Sequence, residues 1–242
     1  MEHPDSAYGG KKTVHEEHHP RKIIPEACRH FYNWGWMTGS GGAMGIRRGK
    51  EIYITPSGVQ KEKVEGDDLF VQTIDGTSIA TPPSCKNLTQ SSCTPLIINA
   101  FKIRKDAGAV IHAHNQNAVM ISLLYPGNEF RITHQQMIKC TYNWVKEKNN
   151  KYFDELIIPI VEGQPEELDL APYVAKALQD YPETSAVIIR RHGMYVVGPT
   201  WEKTKLMIES FDYIFSLAMQ MKQHGLDPTL PPSDHNKEAH EP

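Results

Sequence analysis

The chain alternates between short apolar runs with the length of β-strands and longer segments whose apolar residues recur at α-helical spacing. The apolar runs lie in residues 51–55, 69–74, 109–111, 156–161 and 186–189. Helical spacing is found in residues 20–36, 94–104, 115–124, 165–182 and 201–225. Gly, Pro and Asp separate the first runs, which is typical of antiparallel hairpins. We therefore predict an α/β domain whose sheet is largely antiparallel.

Individual residues indicate where the helices begin and end. Pro25 fits the first turn of the first helix. Thr94 followed by Pro95 fits a helix cap and the first helical position. In the last and longest segment, Leu206 belongs to the apolar stripe that is expected to face the core, and Gly225 provides the C-terminal stop.

Length and composition favour one globular domain. The chain has 242 residues, and 39% of them are hydrophobic, which is enough for a sizeable core. Residues 1–19 are polar and rich in histidine, and residues 227–242 are rich in Pro, Asp, Asn and Glu. Such segments bury too little apolar surface to stay ordered. We expect mobile tails at both ends and a folded domain over residues 20–226.

Charge and cysteine content exclude several classes of protein. The formal net charge is −3 and basic residues are scattered, which argues against nucleic-acid binding. No stretch approaches the roughly 18 uninterrupted apolar residues of a membrane span, and the first residues contain no apolar signal segment. The four cysteines show no C-x-x-C spacing, which fits a reducing compartment. We expect a cytoplasmic protein that binds neither nucleic acid nor membranes.

Three histidines follow apolar strands and suggest a metal site. His112 and His114 lie on the same face of a strand, roughly 6.6 Å apart at their α-carbons, so both imidazoles can reach one ion. His192 follows the apolar run 186–189 and precedes Gly193, where the chain can turn tightly. Three imidazoles with one open position are typical of catalytic zinc. Hydrogen-bonded core histidines remain the alternative, because spacing in sequence cannot prove convergence in space.

Two glycine-rich segments precede these histidines. Residues 37–45 read MTGSGGAMG and residues 55–62 read TPSGVQKE. Glycines allow the backbone to approach a ligand closely, so successive N–H groups can form an anion site. Each segment alone is more simply explained as a turn. Together, upstream of a possible metal site, they favour a phosphorylated substrate.

Several motifs occur in one order along residues 20–228 and together resemble the class II aldolase and adducin family. They are GSGG, IYITPSGVQKE, SSCTPLIINA, AGAVIHAHNQNAV, FRITHQQMIK and AVIIRRHGMYVVGPTWEK. The resemblance implies a single three-layer α/β/α domain around a central, mostly antiparallel sheet. It also implies a homotetramer with active sites at subunit interfaces, and one Zn²⁺ per subunit held by His112, His114 and His192.

The resemblance also assigns residues to substrate and catalysis. By motif, the substrate-binding positions correspond to Ser40, Gly41, Gly42, Ser57, Gly58, Cys93 and Lys139. The family's acid/base glutamate corresponds to Gln136, so a carboxamide stands where a carboxyl group is expected. Because a carboxamide has no titrating proton near neutral pH, we expect the chain to bind zinc and ligand but to turn over slowly.

The implied activity is that of a hydro-lyase that removes water from a phosphorylated ketose in methionine salvage. Two alternatives remain: a sugar-phosphate aldolase or epimerase of the same family, and a non-catalytic binding protein in the manner of adducin. Three metal-type histidines favour the enzymes, because an adducin-like protein has no need to keep them. Animal members also imply a protein partner in the apoptosis pathway, for which the sequence contains no visible motif.

Overall fold

The structure, a computed structural model, describes residues 18–232. Its strands, in chain order, are β1 (Ala43–Arg48), β2 (Glu51–Ile54), β3 (Pro56–Ser57), β4 (Phe70–Gln72), β5 (Ser78–Ala80), β6 (Thr89–Gln90), β7 (Ala109–Ala113), β8 (Glu129–Ile132), β9 (Tyr142–Asn143), β10 (Lys148–Asn149), β11 (Leu156–Val161), β12 (Ala186–Ile189) and β13 (Gly193–Gly198). The helices are α1 (Pro20–Asn33), α2 (Thr94–Ile103), α3 (Gln116–Leu124), α4 (Ala171–Asp180) and α5 (Trp201–Gln223).

Nine of the strands form one central sheet in the order β5-β4-β2-β1-β7-β13-β12-β11-β8. Strands β11 and β12 run parallel, while the other neighbours in this sheet pair antiparallel. The largely antiparallel sheet expected from the hairpin-like spacing is thus confirmed. Strand β7 lies near the middle of the sheet, between β1 and β13, and all five of its residues are buried.

Helices cover both faces of the sheet and make a three-layer arrangement. Helices α1, α3 and α5 contribute buried side chains to one apolar cluster, and α2 and α4 contribute to another. Strand β12 supplies both clusters alternately, because Ala186 and Ile188 belong to the first and Val187 and Ile189 to the second. The expected α/β/α architecture is confirmed. Among the helices within residues 18–232, none is both long and apolar enough to cross a bilayer.

Three expected helix features are wrong in detail. Helix α1 begins at Pro20, whose missing N–H costs nothing at a helix start, and Pro25 lies inside the helix. In α2, Cys93 is the residue before the helix, and the Thr94 hydroxyl has no hydrogen-bond partner, so Thr94 is not the cap. Leu206 is 43% exposed, because the buried stripe of α5 runs along an adjacent face of the helix.

Most of the two predicted tails, residues 1–17 and 233–242, lies outside the described residues. At the edges of the described part, the backbone N–H of Arg21 donates to His19 Nδ1 over 3.1 Å, which caps α1. The N–H of Thr133 donates to the carbonyl of Pro228 over 3.0 Å. The limits predicted for the folded domain stay a prediction.

Candidate active site

The three histidines singled out from the sequence lie together in space. His112 lies in β7, His114 follows the last residue of that strand, and His192 lies in the tight turn between β12 and β13. Their Nε2 atoms are 3.0 Å apart between His112 and His114 and 3.0 Å apart between His114 and His192. The convergence follows from the sheet order, because β13 pairs directly with β7.

Neighbouring groups on β13 hold the ring of His112. Its Nδ1 lies 3.0 Å from the carbonyl oxygen of Met194, which can only accept a hydrogen bond, so Nδ1 carries the proton. The ring stacks on Tyr195, the residue paired with it across the strands, with centroids 4.1 Å apart. This arrangement leaves Nε2 unprotonated and directed at the other histidines, as a metal-binding imidazole requires.

Burial keeps the imidazoles of His112 and His114 neutral. Burial, and then the neighbouring imidazole of His192, lower the pKa of His112 to about 3. Burial, and then His112 and His192, lower the pKa of His114 to about 3. An imidazole must be neutral to offer a lone pair, so the nitrogen donors of His112 and His114 are available at neutral pH.

The spacing of the donors fits a transition-metal ion. Bonds of about 2.0–2.1 Å in a tetrahedral site place neighbouring ligand atoms about 3.4 Å apart. The 3.0 Å separations between Nε2 atoms are close to that value. Ligand atoms of His112, His114 and His192 all lie within 4.8 Å of one another. These residues could therefore hold one metal ion.

Both glycine-rich segments line a cleft beside the histidines. The cleft includes Ser40, Gly41, Gly42, Ser57, Gly58, Cys93, His112 and His114 among its walls. A Cβ atom at Gly41 would lie 2.6 Å from His114 Nδ1, and one at Gly42, where φ is +75°, would lie 2.9 Å from the carbonyl of His112. The glycines therefore let the first segment approach the histidines closely.

Lys61 links the two segments from within the cleft. Its Nζ donates to the carbonyl of Ser40 over 2.7 Å and to the carbonyl of Val59 over 3.2 Å. The side chain is buried, and burial lowers the pKa of its ammonium group. A buried lysine in a cleft of backbone N–H groups provides a positive charge for an anionic ligand.

Glu167 reaches the same cleft from the 3-10 turn Glu167–Leu170 that precedes α4. Its Oε1 lies 3.5 Å from His112 Nε2, and its Oε2 lies 3.4 Å from His192 Nε2. The hydroxyl of Tyr195 donates to Oε1 over 2.5 Å. Burial raises the pKa of Tyr195 well above its usual range, which keeps that hydroxyl protonated.

Cys93 lies at the start of α2, facing this carboxylate. Its Sγ donates to Glu167 Oε1 over 3.5 Å. Burial, and then the negative charge of Glu167, raise the pKa of the Cys93 thiol to about 12. The thiol is therefore protonated at neutral pH in the absence of a metal.

A family model described as the class II aldolase and adducin N-terminal domain matches residues 22–219. The chain belongs to this family. It is 55% identical over 216 residues to the methylthioribulose-1-phosphate dehydratase of Xenopus tropicalis, covering 89% of this chain and 90% of that protein. It is 52% identical over 230 residues to the protein of the same name from Gallus gallus, covering 95% and 94%. The solved structure of an L-fuculose 1-phosphate aldolase matches with a TM-score of 0.69 at 18% identity, covering 88% and 91%, which shows a common fold.

Two residues assigned from the class II aldolase motifs do not join the cleft of their own chain. Gln136 and Lys139 belong to the 3-10 turn Gln136–Cys140, which packs against α5. Both side chains are exposed, and neither lines the cleft that contains His112 and His114.

Sequence reasoning did not assign Glu167, Lys61 or Tyr195 to the site. Glu167 lies in the segment 165–182, which the sequence predicts only as a helix. The adjacent Glu166 looks equivalent, so the sequence does not distinguish the two. Lys61 lies within the family motif PSGVQKE, which is the signal that could have identified it. Tyr195 lies within the family motif AVIIRRHGMYVVGPTWEK, and only the pairing of β13 with β7 places it beside His112.

Proposed function

We propose that this class II aldolase family member is a hydro-lyase that dehydrates 5-methylthioribulose 1-phosphate to 2,3-diketo-5-methylthiopentyl 1-phosphate in methionine salvage. The observation that carries the proposal is identity above 50% to methylthioribulose-1-phosphate dehydratases along about nine-tenths of both chains. The cleft supports it, because it combines possible metal donors with glycine-rich backbone and a buried lysine.

We propose Zn²⁺ as the metal, one per subunit, bound by His112, His114 and His192. Support comes from three imidazoles whose nitrogen atoms converge, since imidazole is a preferred zinc ligand. A zinc ion bound there supplies Lewis-acid polarisation of a carbonyl group, which makes the neighbouring C–H more acidic.

The phosphate of the substrate is proposed to bind between the two glycine-rich segments. Ser40, Gly41 and Gly42 lie on one side and Ser57 and Gly58 on the other. Backbone N–H groups of glycines and serine hydroxyls are typical phosphate donors, and the ammonium group at the base of the cleft adds a positive charge. Cys93 lies in the same cleft, beside the space that the sugar would occupy.

Dehydration needs two proton transfers: a base takes the proton from C3, and an acid donates to the C4 hydroxyl as it leaves as water. The residue that corresponds to the family's acid/base glutamate is Gln136. Its carboxamide can perform neither transfer near neutral pH. We infer slow turnover of the chain, unless His134 or Cys93 takes over these proton transfers.

We propose a homotetramer in which each active site lies at a subunit interface. Support comes from the exposed position of Gln136 and Lys139, outside the cleft of their own chain. A neighbouring subunit could bring the same turn to the cleft, and symmetric homo-oligomers are the commonest assemblies. A cytoplasmic location and a partner in the apoptosis pathway also stay proposals; the four free cysteines are compatible with the former.

A product assay on the zinc-loaded protein tests the function. The chain and its Gln136→Glu variant are each incubated with 5-methylthioribulose 1-phosphate and with short ketose phosphates. We expect a diketone phosphate from the first substrate and no aldehyde from any of them. Aldehyde release would support the aldolase alternative, and the absence of any product together with zinc-free protein would support the adducin-like alternative. His114→Ala is the control, and it should lose zinc.

A further inference from the structure

We propose that Glu167 is a fourth, exchangeable ligand of the metal, which closes the site until substrate oxygen atoms displace it. The inference rests on the metal site proposed above and extends it to a residue outside the histidine motifs. It concerns the state of the site before substrate binds.

The distances place the carboxylate where a fourth ligand belongs. Its oxygen atoms lie 3.5 Å from His112 Nε2 and 3.4 Å from His192 Nε2. These values match the spacing of about 3.4 Å between ligand atoms around a tetrahedral zinc ion. Cys93, His112 and Glu167 also form a possible donor set that shares His112 with the three histidines.

Glu167 contacts two of the three proposed metal ligands directly. Its side chain is only 15% exposed, and within residues 18–232 its ion-pair contacts are with His112 and His192. A carboxyl group that is largely removed from water is favoured when it is paired or coordinates a metal. A divalent cation between the three imidazoles would provide that partner.

Hydrogen bonds orient the carboxylate toward this position. Tyr195, stacked on His112, donates to Glu167 Oε1 over 2.5 Å, and Cys93 donates to the same oxygen over 3.5 Å. Hydrogen bonds from a second layer of residues commonly fix metal ligands in place. Cys93 uses its proton in this contact, so we assign coordination to the carboxylate and an orienting role to the thiol and the phenol.

Metal titration tests the inference without relying on turnover. The chain, Glu167→Gln and Glu166→Gln are each stripped of metal and titrated with Zn²⁺ against a chelator, and then with Co²⁺ while the visible spectrum is recorded. Glu166 is an exposed neighbour whose side chain makes no cap contact, so it is a matched control. We expect the Kd for both ions to rise about 10–100-fold in Glu167→Gln, and to stay within twofold in Glu166→Gln.

A competing small chelator should show the opposite effect. Acetohydroxamate offers two oxygen atoms, as the ketose does, and must displace Glu167 from the Co²⁺ protein. We therefore expect it to bind several-fold more tightly to Co²⁺-loaded Glu167→Gln than to the Co²⁺-loaded chain. A merely structural role of Glu167 would not produce tighter binding of this ligand.

Other outcomes overturn the inference in distinguishable ways. Equal metal affinities and equal Co²⁺ spectra for Glu167→Gln and Glu166→Gln would show that Glu167 is not a ligand, while the histidine site would stand. A sulfur-to-cobalt charge-transfer band that disappears in Cys93→Ser would assign the fourth position to Cys93 instead. Failure of the unaltered chain to bind either ion would refute the metal site itself. Thermal unfolding in excess chelator checks that each variant folds.

Discussion

A carboxamide at position 136 cannot exchange a proton near neutral pH, whereas the carboxyl group expected there can accept and return one. General acid–base catalysis contributes typically 10²–10⁴-fold. We expect Gln136→Glu to raise kcat for dehydration by about that factor in steady-state assays. Gln223→Glu, which adds the same charge at the exposed end of α5, is the control and should leave kcat unchanged. Equal rates for the chain and Gln136→Glu would place the base elsewhere in the cleft.

The thiol of Cys28 makes stability depend on alkaline pH. Cys28 is completely buried in α1, and burial raises the pKa of its thiol to about 12. The unfolded chain therefore loses this proton between about pH 9 and 12, while the folded chain keeps it. Stability from this group is fully present below pH 9 and is lost as pH rises, by about 1.4 kcal/mol per pH unit.

The Cys28→Ala variant isolates that contribution. Free energies of unfolding are measured by urea titration of the chain and of Cys28→Ala at several values between pH 8 and 11. The variant should be less stable at pH 8, because it leaves a small cavity, but its stability should fall less steeply with pH. Parallel curves would show that the thiol ionises equally in both states.

Element packing brings β13 against β7 so closely that only glycine fits at the turn beside His192. A Cβ atom at Gly193 would lie 2.1 Å from the carbonyl oxygen of Ala113 and 2.9 Å from the Cα of His114. Both contacts are with backbone, so the strands would have to separate. We expect Gly193→Ala to lower the free energy of unfolding by about 1–3 kcal/mol and to weaken zinc binding.

Gly127→Ala is the matched control for this change. A Cβ atom there meets nothing within 4 Å, and its backbone does not have a positive φ. Stability and zinc content should therefore stay close to those of the chain. Equally tight zinc binding by Gly193→Ala and Gly127→Ala would contradict this explanation. It would show that the close approach of β13 to β7 does not set the distance between His192 and His114.

The two glycine-rich segments act together through Lys61. Its ammonium group bonds the backbone on both sides of the cleft, so its removal takes away a positive charge and loosens the two segments. Hydrogen bonds to charged groups contribute about 1.5–3 kcal/mol. We expect Lys61→Met to weaken inorganic phosphate binding, measured by calorimetry, by at least about tenfold. Lys63→Met, an exposed neighbour, should bind phosphate as the chain does, and equal losses in both variants would refute the specific role of Lys61.

At the scale of the whole molecule, the proposed tetramer predicts that two kinds of subunit with low activity can complement each other in one assembly. The chain supplies all three histidines but has Gln136, whereas the double variant Gln136→Glu, His114→Ala supplies the carboxylate without a complete metal site. If each site combines the cleft of one subunit with residue 136 of another, dissociated and reassembled mixtures should be more active than either protein alone. Light scattering checks the assembly, and a mixture no more active than its components would place each site within one chain.

The sequence was informative where a local pattern has one physical explanation. Short apolar runs and helical spacing located the helices and the central strands, and H-x-H on a strand placed two imidazoles on one face. It was less informative at helix ends, where Thr94 looked like a cap and is the first helical residue. The exact end of a helix depends on the turn that the neighbouring segments permit. A short window of sequence does not contain that information.

What the sequence by itself determined is the family, the mixed layers of helix and sheet, and the histidines as possible metal donors, because these follow from periodicity, residue chemistry and ordered motifs. Only the tertiary structure decided that His192 meets the other two histidines, that Glu167 and Tyr195 join them, and that Gln136 and Lys139 stay outside the cleft of their own chain. The reason is that these relations depend on the pairing of β13 with β7 and on the packing of turns against them. Such contacts join residues that are distant in the chain, and local preferences carry no information about them.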